Sequence, residues 1–279
     1  DDLALEIGMV LVPGDLVVTG NSYYQWQNHF FGPSEDLFSH VPLYPVYGNH
    51  ENNTAYYVNY FHLPDNGSPQ YEDHWYYTDY SNLRVIGLDS NSGYGYFDEE
   101  VQLIWLETVL EDACFNDNID FVFAQLHHPH KSELWTPGEN PYTGEVIERM
   151  ENFSDECGKP SIHFFGHTHG YSRGQSQDHN HLWVNVATAG GAIDHWGEYP
   201  QADYDEFTVT QDEWGFVVVD IEAGEDPQFI LKRISRGNED TFRDNEIRDE
   251  VIIRLNNIIP NQPIGESLIG IQDPDFLIL

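Results

Sequence analysis

The sequence predicts an α/β fold in which helices pack on a largely mixed sheet. Short apolar runs alternate with helix-like stretches in the first part of the chain, and strand-like runs dominate later. The chain has 279 residues, 40% of them hydrophobic and 14% aromatic, which is enough to form a packed core. This length fits one or two domains, and a single α/β domain of this size is common.

Four apolar runs end in polar loops that contain Asp, Asn or His. We interpret the runs as buried strands, because each is short and stops at Gly, Pro or polar residues. They cover residues 9–12, 43–46, 121–126 and 162–165. Ligands bind at the carboxyl ends of strands in such sheets, so we expect the four loops to meet at one site.

Helix-like stretches separate these strands. Residues 98–113 carry apolar side chains near helical spacing, and Asp98-Glu99-Glu100 favours a helix N-terminus there. Residues 75–80 and 83–89 flank Ser81-Asn82 as in a β-hairpin. The other expected helices are 23–31, 55–61 and 144–156, and the other expected strands are 182–189, 214–221 and 229–234.

The character of the sequence changes at about residue 244. Apolar runs at 251–253 and 258–259 lie among Asn, Pro and Gly and show neither helical nor strand periodicity. We therefore predict a domain over residues 1–243 and a linker, or the start of a further module, over 244–279.

The chain is strongly acidic, with 11 Lys and Arg against 48 Asp and Glu, a formal net charge of −37. Proteins hold nucleic acids through basic residues, so nucleic acid is not an expected partner. We interpret the acidic side chains as a solvated surface suited to salty, for example marine, surroundings. No apolar run approaches the roughly 18 residues of a membrane-spanning helix, so membrane insertion is not expected.

Two cysteines, Cys114 and Cys157, are too few for a zinc-finger site or a disulfide scaffold. Each lies near the end of a helix-like stretch that leads into a strand, so the two thiols can meet across neighbouring α/β units. We expect one disulfide in a secreted or cell-surface protein, with two buried free thiols as the alternative.

The polar loops resemble those of the calcineurin-like metallophosphoesterases in order and spacing. The matching residues are Gly14-Asp15, Gly48-Asn49-His50-Glu51, His127 with Pro129, and Gly166-His167-Thr168-His169. The stretch GHTHGYSR at 166–173 is similar to the corresponding motif of purple acid phosphatases. One such tetrapeptide is weak evidence, whereas four in order after strands are strong evidence. The resemblance implies a four-layer β-sandwich of mixed sheets flanked by helices.

The resemblance also implies roles for individual side chains. The implied ligands of two metal ions are Asp15, Asn49, His127, His167 and His169. Asp15 would bridge the ions, and carboxylate, amide and imidazole donors suit Zn, Mn or Fe. The implied nucleophile is a metal-bound hydroxide, and His50 would protonate or stabilise the leaving oxygen.

Other polar side chains near these motifs have open roles. His128 is expected in a loop beside the site, where it can contact substrate. Arg173 can bind a phosphate oxygen or form an ion pair with one of the many carboxylates. Glu51 is expected to hydrogen-bond backbone or a ligand histidine. Four aromatic residues can line a pocket mouth or pack in the core: Trp135, Tyr142, Trp196 and Tyr199.

Two departures from the family pattern concern the metal sites. Purple acid phosphatases have an iron-binding Tyr three residues after the bridging Asp, where this chain has Val18, so ordinary divalent metals are favoured. The family's opening Asp-x-His motif belongs upstream of Asp15, and residues 1–14 contain no His. Loss of a central strand would leave backbone groups unpaired, so we expect this motif in a longer natural chain, before Asp1.

The sequence thus predicts dimetal-dependent hydrolysis of small phosphate monoesters. A phosphodiesterase or nucleotide hydrolase is the nearest alternative within the same chemistry. A non-catalytic secreted surface or binding module with a degenerate metal site is the alternative from another class. The acidic composition favours small phosphate esters over nucleic acid as substrates.

Overall fold

The computed structural model describes residues 7–51, 53–257 and 266–267. The strands are β1 (Val10–Val12), β2 (Leu43–Pro45), β3 (Tyr76–Tyr80), β4 (Leu83–Gly87), β5 (Phe121–Gln125), β6 (Ser161–Phe165), β7 (Tyr171–Gln175), β8 (His181–Val186), β9 (Phe207–Gln211), β10 (Trp214–Glu222), β11 (Gln228–Gly237), β12 (Phe242–Arg254) and β13 (Glu266–Ser267). The α-helices are α1 (Tyr23–Gln25), α2 (Gly32–Phe38), α3 (Ala55–Tyr60), α4 (Glu99–Phe115) and α5 (Pro141–Cys157). A π-helix, Trp26–Phe31, joins α1 to α2. None of the helices described here is both long and apolar enough to cross a membrane.

The largest sheet is mixed and has seven strands in the order β3-β4-β5-β6-β8-β7-β9. β4, β5, β6 and β8 pair in parallel, whereas β3, β7 and β9 pair antiparallel to their neighbours. β10 to β13 form an antiparallel sheet, and β1 pairs with β2 in parallel. This architecture confirms the predicted α/β class with a mixed sheet.

Three apolar clusters hold the elements together. One cluster packs α4 and α5 on the seven-stranded sheet. Another fills the space between that sheet and strands β11 and β12. A third, largely aromatic cluster surrounds the fully buried Trp26 near α1 and α3. The two sheets are thus held as a sandwich with helices on the outer face of the larger sheet.

Local signals fix the ends of the two long helices. The Asp98 side chain accepts a hydrogen bond from the backbone of Glu100 and caps α4. Asn140 caps α5 in the same way, and Gly158 ends that helix in the left-handed conformation with φ 66°. Cys114 in the last turn of α4 and Cys157 at the end of α5 are joined by a disulfide.

The predicted domain boundary at residue 244 falls inside β12. This strand pairs with β11 along most of its length, and its Val251 and Ile253 are buried between the sheets. Residues 244–254 are therefore part of the sandwich, and the prediction of a linker there is wrong. Residues 258–265 and 268–279 of the predicted linker lie outside the described residues.

Candidate metal centre

Loops that follow β1, β2, β5 and β6 bring four donor atoms together. His127 Nε2 lies 3.0 Å from Asp15 Oδ2, 3.0 Å from Asn49 Oδ1 and 3.2 Å from His167 Nδ1. Two ligands about 2.1 Å from one ion and at right angles to each other are about 3.0 Å apart. Each of the three distances from His127 therefore matches the spacing of neighbouring ligands on one cation.

Hydrogen bonding orients His127 for this role. Its Nδ1 lies 2.8 Å from the Pro13 carbonyl oxygen, which can only accept, so Nδ1 carries a proton and Nε2 faces the other donors. Burial disfavours charge on both partners, but their mutual attraction raises the pKa of His127 and holds the pKa of Asp15 well below its ordinary value. The site thus attracts positive charge next to Asp15.

Two close approaches hold the Asp15 and Asn49 loops together. A Cβ atom on Gly48 would clash with the backbone nitrogen and carboxylate of Asp15, so the position requires glycine. The Glu51 carboxylate is fully buried and accepts from the backbone N–H groups of Asp15 at 2.9 Å and Gly48 at 2.7 Å. Burial, followed by the charge of Asp15, raises the pKa of Glu51 to about 7. Of the two partners expected for Glu51, the structure therefore shows the backbone.

Two of the proposed ligands have unusual backbone conformations. Asp15 and His167 are non-glycine residues in the left-handed region, with φ of 55° and 66°. For L-residues this conformation costs on the order of 1 kcal/mol. Such strain is found preferentially where a side chain must be aimed at a functional site.

His50 and His169 flank this group of donors. His50 Nδ1 lies 2.7 Å from the Val18 carbonyl oxygen, and its Nε2 lies 3.9 Å from Asp15 Oδ2. The backbone N–H of His169 donates to Asp194 Oδ2 at 2.7 Å, and the His169 ring nitrogen lies 3.8 Å from the other carboxylate oxygen. His50 is therefore placed beside Asp15, whereas the contacts seen for the His169 ring are with Asp194.

The structure favours the ion-pair alternative for Arg173. Its side chain is 5% exposed, and Nε donates to Asp249 Oδ2 at 2.6 Å. The same oxygen accepts from the Tyr171 hydroxyl at 2.6 Å. Because this charge is neutralised inside the sandwich, Arg173 is poorly suited to bind a phosphate.

The aromatic residues divide between the site, the core and the surface. The Trp135 ring lies 5.1 Å from the His167 ring, and the Tyr199 ring lies 6.0 Å from Trp135. Tyr142 is buried in the core, and Trp196 is half exposed. Trp135 therefore stands next to a proposed ligand, and Tyr199 stands next to Trp135.

Sequence reasoning missed Ser90 and Asp194. Ser90 is buried and contacts both His127 and His128. It lies just beyond β4, so its position past a predicted strand was an available signal. Asp194 lies in the long connection between β8 and β9, where no local pattern marks it.

Comparison with known proteins now adds to this geometry. The calcineurin-like phosphoesterase family matches residues 4–171. No curated protein sequence matches the chain significantly. Similar solved structures include a purple acid phosphatase from yellow lupin (Lupinus luteus) seeds, with 17% identity and a TM-score of 0.67 over 90% of this chain and 47% of that one. This chain thus spans about half the length of the lupin protein.

Two further structures share the fold at low identity. PhoD has 11% identity and a TM-score of 0.58, over 90% of this chain and 60% of that one. GAP50, the anchor in the inner membrane complex of Plasmodium, has 15% identity and a TM-score of 0.56, over 87% and 79%. The family match covers all four polar loops, and on this basis the chain belongs to the calcineurin-like phosphoesterase family.

Proposed function

We propose that this protein is a metal-dependent hydrolase of small phosphate monoesters. The observation that carries the proposal is the convergence of Asp15, Asn49 and His167 on His127 Nε2. Membership of the phosphoesterase family supports the same chemistry. We also propose a second ion, for which Asp15 and His169 would be ligands.

The chain's own groups have distinct tasks in this reaction. Bound Zn, Mn or Fe would supply Lewis-acid stabilisation of phosphate oxygens and lower the pKa of a water. Asp15, Asn49, His127 and His167 would hold one ion. The Nδ1–H of His50 donates to the Val18 carbonyl oxygen, so Nε2 lies on the Asp15 side, and the doubly protonated ring would deliver its Nε2 proton to the leaving oxygen.

Composition and cross-linking support a proposal for the setting of the reaction. The disulfide between Cys114 and Cys157 favours an oxidising compartment, as in secreted or cell-surface proteins. The net charge of −37 favours small esters over nucleic acid as partners and fits a salty environment. We also propose further domains of the same, longer chain as partners of this one.

The test combines metal analysis with turnover of 4-nitrophenyl phosphate. We expect bound metal and activity in the wild type, and loss of most of both in Asn49→Ala and His167→Ala. His40→Ala replaces an exposed histidine and serves as the matched control. A folded wild type that binds no metal and turns over no ester would refute the proposal and favour a binding module. Faster turnover of bis(4-nitrophenyl) phosphate would instead indicate a diesterase.

A further inference from the structure

His128 lies among the candidate ligands without belonging to the four-donor group. It is 6% exposed, and its ring lies 4.5 Å from the His167 ring. A ring nitrogen of each of His127, His128 and His167 lies within 4.8 Å of the others. By position alone, His128 could bind a metal ion or contact the group that the ion holds. The location of its proton distinguishes these roles.

Ser90 determines where that proton lies. Its Oγ is 3.1 Å from the backbone nitrogen of His127 and 2.8 Å from that of His128, and both N–H groups can only donate. These two bonds occupy both lone pairs of the hydroxyl oxygen. The third contact, 2.9 Å to His128 Nδ1, must therefore use the hydroxyl proton. Nδ1 accepts, and in neutral His128 the ring proton is on Nε2.

The adjacent His127 has the opposite arrangement. The Nδ1 partner of His127 is the Pro13 carbonyl oxygen, an acceptor, so this ring presents a lone pair at Nε2 when it is neutral. The Nδ1 partner of His128 is a hydroxyl donor, so its Nε2 presents N–H. A metal ion needs a lone pair, so His127 is suited to binding an ion and His128 is not.

We infer that His128 donates a hydrogen bond from Nε2–H to an oxygen of the phosphate ester and does not bind the metal. This inference rests on the proposed function. Among the residues that the structure describes, Nε2 of His128 has no hydrogen-bond partner, which leaves it available to a ligand. Phosphate oxygens carry negative charge and accept strongly from such donors. Arg173, the cation of the GHTHGYSR motif, is paired with Asp249. The phosphate oxygens are therefore left to a neutral donor, as His128 would be.

The direct test is the tautomer of His128 in the wild-type protein. Long-range ¹H–¹⁵N correlation spectra of histidine-labelled, zinc-loaded protein should show the Nε2–H form, with Ser90→Ala used to assign and perturb the signal. An Nδ1–H form, or a zinc-bound Nε2, would overturn the inference. This measurement does not depend on turnover.

Variants provide a second test, with zinc affinity and inorganic phosphate binding measured separately. His128→Ala should keep zinc affinity within about threefold and weaken phosphate binding roughly 10- to 100-fold, the usual effect of losing a hydrogen bond to a charged group. His128→Gln retains an N–H donor and should restore part of that binding. Ser90→Ala should weaken phosphate binding several-fold, because the proton is no longer held on Nε2.

A control variant distinguishes loss of the metal site from loss of the phosphate contact. His167→Ala should lose zinc. Equal loss of zinc in His128→Ala would make His128 a ligand, and unchanged phosphate binding in His128→Ala would make it a bystander; either result overturns the inference. A wild type that binds none of Zn, Mn and Fe would overturn the proposed function and this inference with it.

Discussion

Single atoms decide what each side chain at the metal centre can do. His127 and His128 are neighbours in sequence, yet a carbonyl oxygen beside one and a hydroxyl beside the other place the proton of the neutral ring on Nδ1 of His127 and on Nε2 of His128. The Asp15 loop likewise approaches Gly48 so closely that a single added Cβ atom would not fit. Loop motifs identify the candidate ligands, but they contain no information on these hydrogen-bond partners and close approaches.

We predict that Gly48→Ala disrupts the candidate metal centre. The added methyl group would meet the backbone nitrogen of Asp15, which cannot move as a flexible side chain can. Overpacking of this kind costs about 1–3 kcal/mol, and zinc affinity should fall with it. Urea unfolding and zinc titration measure both effects. Gly191→Ala is the control, since its Cβ would meet only an ordinary contact 3.9 Å away, and equal behaviour of the two variants would contradict the prediction.

The elements found from sequence are those with clear apolar patterns. β5 and β6 are fully buried apolar strands and were predicted within a residue at each end. β7 was missed because its buried positions include Arg173, whose charge is neutralised by Asp249 on β12, a contact between residues far apart in sequence. The first half of β12 is mostly exposed and charged, so its alternation is also hidden. Tertiary pairing, which a local pattern does not report, makes these segments strands.

A buried histidine pair between β6 and β8 gives a prediction on pH. His163 and His181 are fully buried, their ring nitrogens are 2.9 Å apart, and His181 also contacts Ser161 at 2.7 Å. Burial lowers the pKa of His181 to about 3, and burial with the neighbouring His181 and His130 lowers the pKa of His163. Both histidines are neutral in the fold, whereas in the unfolded chain they take up protons near pH 6.5.

The stability of the fold with both histidines neutral is therefore at its full value above about pH 6.5. It is lost as the pH falls towards the folded pKa of His181, about 3. At pH 5 one histidine with these two pKa values lowers the free energy of unfolding by about 2 kcal/mol. His181→Gln should make the fall in unfolding free energy between pH 7 and pH 4 shallower in urea titrations. His40→Gln, on the surface, should leave the slope unchanged; identical slopes for all three proteins would count against this assignment.

For the whole molecule, the acidic surface makes the stability of the fold depend on salt. With a net charge of −37, self-repulsion opposes the compact state, and salt shortens its range from about 10 Å at 0.1 M to about 3 Å at 1 M. The composition alone predicted this property. It did not predict where the domain ends, because the sandwich takes its β12 from beyond the apparent change in composition.

We expect the melting temperature at pH 7 to rise by a few degrees between 0.05 and 1 M NaCl. For a chain of this size about 1 kcal/mol corresponds to roughly 2–4 °C. Calorimetry at pH 4.3, near the isoelectric point, is the control, because the salt effect should largely disappear there. A shift of equal size at both pH values would show that salt acts through something other than repulsion.

The disulfide between α4 and α5 has a consequence for how the protein is purified. It closes a loop of the chain, with its ends 43 positions apart, that includes β5 and the histidines after it. Dithiothreitol or mercaptoethanol would open this loop and would also compete for soft cations such as zinc. Purification in those reagents would therefore remove a covalent restraint and, under the proposed function, a zinc cofactor as well, so protein handled without thiols should retain both.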